Sequence, residues 1–318
     1  MIKWCLWVAL LAFAGALLAC KLLIPLLKRM KAGQNVLSYV KEHQGKAGTP
    51  TFGGLAFLPM AVVVCLPFGV QAQRSFVIAC VIGLAYLCVG FLDDFLKKRH
   101  EDNLGLTVWQ KLFFQTLVAI VAGVYCIKSG RDGIVIPFTG IVLEIGWWML
   151  PLSVLVFLST VNAVNLTDGL DGLAAGVSIP FFGAIGLLIF LSGGEEGLVM
   201  LSFALVGALL AYLLFNTNKA SIFMGDTGSL SLGGFAASIC LLSGNALYIP
   251  IIGIMFVVSI ISVVIQVIYY KATAGKRIFL MAPMHHHFQQ KGYSEGKIAY
   301  AYTLITLVIG ALCIAVKL

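Results

Sequence analysis

The sequence predicts an all-α polytopic membrane protein with about ten transmembrane helices. Of its 318 residues, 60% are hydrophobic and only 11% are charged, whereas a soluble domain is about 45–50% apolar and about 25% charged. The apolar residues fall in blocks of roughly 17–25, the length that a helix needs to cross a hydrocarbon layer. Polar stretches are too short to fold around a core of their own. We therefore expect a single integral membrane domain over residues 1–318.

Ten blocks are apolar enough to be predicted as membrane spans. Their cores are 4–27, 52–70, 75–92, 112–127, 147–163, 173–191, 198–215, 229–243, 248–270 and 298–316. The block 229–243 is the weakest, because it is short and rich in glycine and serine. If it did not cross the membrane, every later segment would change side.

Lysine and arginine are concentrated in alternate loops, which predicts the orientation. One set of loops contains Lys28, Arg29, Lys31, Lys41, Lys46, Lys97, Lys98, Arg99, Lys111, Lys219, Lys271, Lys276, Arg277, Lys291 and Lys297. The other set, with the two termini, contains Lys3, Arg74, Lys128, Arg131 and Lys317. The positive-inside rule places the first set in the cytoplasm and both termini outside. Basic loops facing anionic lipids also account for the net charge of +8 without a nucleic-acid partner.

The reactive side chains fall on the same predicted cytoplasmic side. They are Asp93, Asp94, Asp168, Asp171, Asp226 and all 5 histidines. A channel or transporter would be expected to carry polar groups at mid-membrane depth, and the sequence shows no such row. The 8 cysteines lie in apolar blocks without a close C-x-x-C pair, which favours small core residues over disulfides or metal ligands. These observations indicate an enzyme with a cytoplasmic active site.

Two motifs place paired carboxylates at helix ends. Asp93 and Asp94 are followed by Lys97, which would share a helical face with both; adjacent carboxylates at a membrane boundary need a cation or base partner. In the run N-A-V-N-L-T-D-G-L-D-G at 162–172, Asp168 and Asp171 could share a face at the start of the next helix. An ordinary charged helix end and a capped Asp-Gly turn are the structural alternatives.

Three further motifs combine glycine with polar residues. In F-M-G-D-T-G-S at 223–229, Asp226 lies between glycines, so the loop could offer backbone N–H groups to phosphate and a carboxylate to magnesium. P-M-H-H-H-F at 283–288 is predicted in the last cytoplasmic loop, where two histidines could reach a metal or a phosphate. In the segment 45–54, Lys46 and two threonines could contact an anion. A helix cap or a turn remains the alternative for each motif. Together the motifs suggest magnesium-assisted phosphoryl transfer to a lipid.

These motifs occur in the order found in the polyprenyl-phosphate N-acetylhexosamine-1-phosphate transferases, which the chain resembles over essentially its whole length. The resemblance implies a multi-pass enzyme of the bacterial inner (plasma) membrane that uses Mg²⁺, joins a UDP-activated sugar phosphate to undecaprenyl phosphate and releases UMP. The P-M-H-H-H-F motif favours UDP-N-acetylmuramoyl-pentapeptide as the donor, which would form the first lipid-linked peptidoglycan intermediate. A UDP-N-acetylglucosamine enzyme is the alternative, and a lipid transporter is a remote one. Phe52 and Gln289 depart from the family pattern, in which we expect Met and Glu.

The resemblance also implies roles for individual residues. Asp226 would be the magnesium ligand, Asp93 and Asp94 would act at the reacting phosphates, and His285 and His286 would contact the pyrophosphate or tune the site. The substrate-binding set would be Lys46, Thr51, Lys97, Lys111, Asn162, Asn165, Asp168, Asp171, Asn216, Phe223 and His287. Within that set the two lysines 97 and 111 would bind phosphate and the phenylalanine would stack on uracil. Membrane lipids are the expected surroundings, and a homodimer is left open.

Overall fold

The computed structural model describes residues 1–30, 48–68, 73–100, 105–217 and 219–318 of an all-α membrane protein. The helices are α1 (Ile2–Arg29), α2 (Gly54–Cys65), α3 (Arg74–His100), α4 (Val108–Lys128), α5 (Met149–Thr167), α6 (Leu173–Leu191), α7 (Glu196–Asn216), α8 (Gly225–Leu242), α9 (Ile249–Ile252), α10 (Ile254–Ala272), α11 (Met284–Gln290) and α12 (Glu295–Lys317). Within the described ranges, 8 helices are long and apolar enough to cross a membrane. These 8 are α1, α3 to α7, α10 and α12.

Helices α2 and α8 occupy the two remaining predicted spans. Helix α2 is apolar but has only 12 residues, and it continues into a 3-10 turn at Leu66–Phe68. Helix α8 is rich in glycine and serine, yet every residue from Thr227 to Leu242 is buried because α8 packs between α3 and α5. A helix surrounded by other helices does not need an apolar surface of its own. The count of ten spans stays a prediction.

Three helices differ from their predicted bounds in ways that affect the site. Helix α3 continues to His100 rather than ending near residue 92, since the run L-K-K-R at 96–99 consists of good helix formers. Helix α8 begins at Gly225 rather than at residue 229, which brings Asp226 into its first turn. The predicted span 248–270 is interrupted at Gly253, between α9 and α10.

Small residues allow the helices to approach closely. A Cβ atom on Gly90 of α3 would lie 2.0 Å from the carbonyl oxygen of Asp226, and one on Gly207 of α7 would lie 1.9 Å from the carbonyl oxygen of Ala9. Lipid tails are as apolar as the helices, so association in a bilayer depends on this kind of tight packing. The contact at Gly90 fixes α3 directly against the start of α8.

Two elements were not predicted. An antiparallel hairpin pairs β1 (Gly133–Val135) with β2 (Val142–Glu144) between α4 and α5, where the sequence predicted only a short outer loop. The three histidines at 285–287 lie on the short helix α11, within the predicted connection between the last two spans.

The predicted orientation can be tested with reporter fusions. A reporter fused after Lys276, between α10 and α11, is expected to be cytoplasmic, and one fused after Arg131, before β1, is expected to be external, because basic loops remain inside. Alkaline phosphatase and green fluorescent protein fusions report the two sides in opposite ways. Finding both positions on one side would overturn the ten-span topology.

Candidate active site

Helices α3 and α8 bring three carboxylates together. Asp93 and Asp94 lie near the end of α3, and Asp226 lies in the first turn of α8. One oxygen of each lies within 4.8 Å of an oxygen of the other two. The Asp93 side chain is fully buried and that of Asp226 is 15% exposed. Carboxylates this close repel one another unless cations compensate for their charge.

Two lysines supply part of that compensation. Lys97, one turn after Asp93, places its Nζ 2.6 Å from Asp93 Oδ2 and 3.0 Å from Asp226 Oδ2. Lys111 of α4 places its Nζ 3.0 Å from Asp93 Oδ2 and 2.5 Å from Asp226 Oδ2. Each ammonium group therefore bridges the same two carboxylates. Three anions and two cations still leave one negative charge in excess.

Asp94 has a different role from its neighbour. Its Oδ2 accepts hydrogen bonds from the backbone N–H and the hydroxyl of Thr227, at 2.9 and 2.7 Å, and its Oδ1 accepts from the N–H of Asp226 at 3.2 Å. A carboxylate at the start of a helix is stabilised by the helix dipole. The sequence predicted that Lys97 would serve both aspartates. In the structure the lysine pairs with Asp93, while Asp94 caps α8.

The turn before α8 requires glycine. Gly225 has a φ of +69°, and a Cβ atom there would lie 2.4 Å from Asp94 Oδ2 and 2.6 Å from Thr51 Oγ1. A residue with a side chain would be strained at this φ and would also collide with the capping carboxylate. The glycine noted in the motif 223–229 is thus needed for the approach of α3, α8 and the segment before α2.

The remaining oxygens of the cluster are oriented by hydrogen bonds. Asn165 Nδ2 donates to Asp226 Oδ1 and to Ser229 Oγ, both at 2.8 Å. The backbone N–H of Leu106 donates to Asp93 Oδ1 at 2.7 Å. The second oxygens of Asp93 and Asp226 therefore face the lysines together. Asn165, which the resemblance places in the substrate-binding set, thus lies beside the carboxylates.

The donor set fits a divalent cation. Asp93, Asp94 and Asp226 offer carboxylate oxygens from two rigid helices, and carboxylates are the protein ligands that magnesium prefers. The excess negative charge favours such an ion further. The group of candidate ligands is wider than the single residue Asp226 assigned from the sequence.

The segment before α2 is held against the segment before α8 by backbone hydrogen bonds. Phe223 N–H donates to the carbonyl of Pro50 at 2.8 Å, and Gly53 N–H donates to the carbonyl of Phe223 at 2.9 Å. This pairing places Thr51 beside Gly225 and the Asp94 carboxylate, while Phe223 lies three residues before Asp226 in the chain. Lys46, predicted from the same motif, lies outside the described residues.

Asp171 and Asn216 form hydrogen bonds to the backbone. Asp171 Oδ2 accepts from Ala220 N–H at 3.0 Å. Asn216 Oδ1 accepts from Gly172 N–H at 3.0 Å, while its Nδ2 donates to the carbonyl of Ile222 at 2.9 Å. These bonds hold the turn 168–172 against the segment that leads into α8. In the same turn, desolvation together with the carboxylates of Asp226 and Asp94 raises the pKa of Asp168 to about 8.

Asn162 is directed away from the carboxylates. Its Nδ2 donates to Gln115 Oε1 at 2.7 Å and to the carbonyl of Leu158 at 2.8 Å. Gln115, which is fully buried on α4, was not among the residues predicted from the sequence. The available signal was its spacing: Gln115 follows Lys111 by four residues in an apolar helix and shares its face.

Helix α11 packs two histidines against the turn 168–172. A Cβ atom on Gly169 would lie 2.3 Å from His285 Nε2 and 3.1 Å from His286 Nε2. Burial lowers the pKa of His285 to about 3, so its ring is neutral at pH 7. In the described part of the chain, neither of its ring nitrogens has a hydrogen-bond partner. His287 instead accepts from the N–H of Leu280 at Nδ1, at 3.1 Å, and is not brought to Gly169.

Comparison with known proteins assigns the family. The model of the family described as glycosyl transferase family 4 matches residues 76–244, more than half of the chain. A phospho-N-acetylmuramoyl-pentapeptide-transferase from Shouchella clausii is 42% identical over 308 residues, covering 95% of this chain and 94% of the relative. Enzymes of the same name from Clostridium botulinum (42% identical, 94% and 92% covered) and Caldanaerobacter subterraneus (40% identical, 97% and 97% covered) are similar. The chain belongs to the phospho-N-acetylmuramoyl-pentapeptide-transferase family.

Membership of the family agrees with the resemblance found from the motifs. The segment matched by the glycosyl transferase family 4 model runs from α3 through α8 and so contains the three carboxylates and both lysines. The histidine helix α11 lies beyond it, in the part of the chain that the full-length relatives also cover.

Replacing Gly90 by alanine tests the contact that aligns the carboxylates. The added methyl group would lie 2.0 Å from a backbone oxygen of α8, so α3 and α8 must separate. We expect Gly90→Ala to lower the free energy of unfolding by about 1–3 kcal/mol and to lower turnover at least about tenfold. Thermal unfolding and turnover of the purified protein measure these effects. The control is Gly296→Ala, where a Cβ meets no atom within 4 Å. Equal behaviour of the two variants would contradict the role given to Gly90.

Proposed function

We propose that this protein transfers phospho-N-acetylmuramoyl-pentapeptide from its UDP derivative to undecaprenyl phosphate, forming the first lipid-linked peptidoglycan intermediate and releasing UMP. The observation that carries the proposal is the cluster of three carboxylates and two lysines, formed by α3, α4 and α8 in a member of this family. The names of the similar enzymes support the choice of donor.

The two lysines would reduce the repulsion between the two anionic substrates of the reaction. A lipid phosphate must attack a pyrophosphate, so two anions have to meet. Lys97 and Lys111 already lie side by side over Asp93 and Asp226, and long flexible side chains can turn from carboxylate to phosphate oxygens. There they would reduce the repulsion between the substrates and stabilise the charge that develops on UMP.

The metal would be held by the same carboxylates. We infer that Asp226, whose Oδ2 atom contacts both lysines, is the principal ligand. Asp94 would support it while it caps α8. When bound, Mg²⁺ would neutralise phosphate charge and orient the pyrophosphate. The lysines would remain as the second source of positive charge.

The two adjacent aspartates are not equivalent candidates for a general base. Asp94 accepts three hydrogen bonds from the first turn of α8, so its lone pairs are already engaged. Asp93 accepts one backbone hydrogen bond, from the N–H of Leu106, and its other oxygen faces the lysines. We therefore assign Asp93 as the group that takes a proton from the lipid phosphate.

Residues around the cluster would bind the nucleotide sugar. Thr51 and the partly exposed ring of Phe223 lie on the segments joined before α2 and α8, which suits contacts to the uridine. His285 and His286 approach from α11 across Gly169 and would contact the pyrophosphate. Orientation by the basic loops would place this site at the cytoplasmic face of the plasma membrane.

Metal dependence tests the carboxylate cluster. We expect activity to disappear with EDTA and to return with magnesium.

Asp226→Asn should reduce turnover by at least about two orders of magnitude, because a key electrostatic group is lost. Its amide oxygen can still accept from Asn165, so the variant should fold. Asp132→Asn, beside the β1–β2 hairpin, is a matched control that should leave turnover unchanged. Turnover of Asp226→Asn near that of the control would remove Asp226 from the metal site.

Donor choice tests the proposal against the alternative sugar. The segment 271–297 carries Lys276, Arg277, Lys291 and the histidines, and such a basic surface suits the carboxylates of a lactyl-pentapeptide. We expect UMP release with UDP-N-acetylmuramoyl-pentapeptide and undecaprenyl phosphate to exceed that with UDP-N-acetylglucosamine by more than tenfold, or about 1.4 kcal/mol in transition-state binding. Equal or faster turnover of the second donor would favour the alternative enzyme. No turnover of either donor would overturn the transferase proposal.

A further inference from the structure

Glu295 connects three elements around the histidine helix. Its Oε1 accepts from Gln289 Nε2 of α11 at 3.4 Å, and its Oε2 accepts from the backbone N–H of Asp171 at 3.0 Å. At the other end of the same glutamine, Oε1 lies 2.9 Å from His286 Nδ1. A continuous set of hydrogen bonds therefore runs from the turn 168–172 through the start of α12 to the ring of His286.

The carboxylate determines which way the glutamine amide faces. A glutamine can present either its oxygen or its NH₂ group to a neighbour, but an ionised carboxylate only accepts hydrogen bonds. The NH₂ group of Gln289 must then face Glu295, because the opposite orientation would set two acceptors against each other. The amide oxygen consequently faces His286, and only a protonated Nδ1 can donate to it.

His286 and His287 differ in the ring nitrogen that carries the proton. With the proton on Nδ1, the neutral ring of His286 keeps its lone pair on Nε2, the atom that faces Gly169. His287 accepts at Nδ1 from the N–H of Leu280, so its neutral ring carries the proton on Nε2. Adjacent histidines on one short helix thus hold opposite tautomers, each fixed by a hydrogen bond from outside the ring.

We propose that Glu295 is a positioning residue that fixes the tautomer of His286 through Gln289 and holds the turn at Asp171 in register with it. The effect on turnover rests on the proposed function; the tautomer does not. A glutamate at position 289 would accept a hydrogen bond from Nδ1–H in either orientation. The amide of the glutamine found there can rotate by 180°, and the hydrogen bond to Glu295 prevents this rotation. With the tautomer fixed in this way, Nε2 of His286 is the acceptor that faces the turn 168–172.

Nitrogen NMR of the full-length protein reads the tautomer directly. The protein is labelled with ¹⁵N-histidine and reconstituted in lipid bilayers, and the His286 signals are assigned by their loss in His286→Asn. We expect a protonated Nδ1 and an unprotonated Nε2 in the wild type at pH 8, and a mixture of tautomers in Glu295→Ala and in Gln289→Met. Gln290→Met, the same substitution one residue further, should keep the wild-type spectrum. An Nε2-protonated wild type, or spectra unchanged by both substitutions, overturns the proposal.

Gln289→Met separates the loss of the tautomer from a loss of folding, because it leaves the hydrogen bond between Glu295 and Asp171 intact. We expect it to lower kcat about tenfold, the lower end of what loss of an orienting partner costs, with KM changed less than twofold and the melting temperature unchanged. A lower melting temperature with wild-type kcat would show a structural role only, and would overturn the proposal.

Exchanging the two side chains provides a rescue. Gln289→Glu alone sets two carboxylates against each other and should lower kcat. The double variant combines Gln289→Glu with Glu295→Gln. Its carboxylate at position 289 accepts a hydrogen bond from Nδ1–H of His286, and the amide at position 295 can donate to that carboxylate. The wild-type tautomer and most of kcat should therefore return. A double variant no better than Gln289→Glu contradicts the proposal. A wild type that turns over no donor contradicts the proposed function instead, and the spectra still decide the tautomer.

Discussion

The site depends on the close approach of α3 to the start of α8. Gly90 allows the backbones to touch beside Asp226, and Asp94 then reaches the first N–H groups of α8. The hydrogen bonds from Asp94 fix the polar first turn of α8, and this turn carries Asp226. The cap and the two bridging lysines together hold Asp93 and Asp226 side by side against the repulsion of their charges.

Adjacent aspartates can have unlike roles because a helix points them about 100° apart. Asp94 faces α8 and is engaged by its N-terminus, while Asp93 faces α4 and the two lysines. One carboxylate thereby helps to build the site, and its neighbour is the one that we propose for chemistry. Lys97 and Lys111 offset part of the negative charge on the open side of the cluster, which lowers the repulsion that an anionic substrate meets there.

The cytoplasmic segments form the rest of the site by holding one another. The segment before α2 pairs with the segment before α8, and the turn 168–172 is fixed by Asn216, by its own Asp171 and by Glu295. Several polar residues of the motifs therefore bind backbone groups of neighbouring segments. Buried N–H and C=O groups near a membrane have few other partners, and satisfying them is what keeps such turns ordered.

The sequence by itself determined the fold class, the family and most members of the site. Apolar blocks of spanning length and charge-biased loops are local properties, and the glycine-flanked aspartates indicated where chemistry would lie.

The tertiary structure decided which contacts each of those residues makes. It showed that Asp94 caps a helix while Asp93 faces the lysines, that Asn162 contacts Gln115 instead of the carboxylates, and that the histidines lie on a helix with His287 turned aside. It also revealed Glu295, which no motif indicated. These assignments depend on which helices touch and at what depth, and contacts between residues more than a hundred positions apart, such as Asp94 with Thr227 or Asp171 with Glu295, leave no periodic signal in a single sequence.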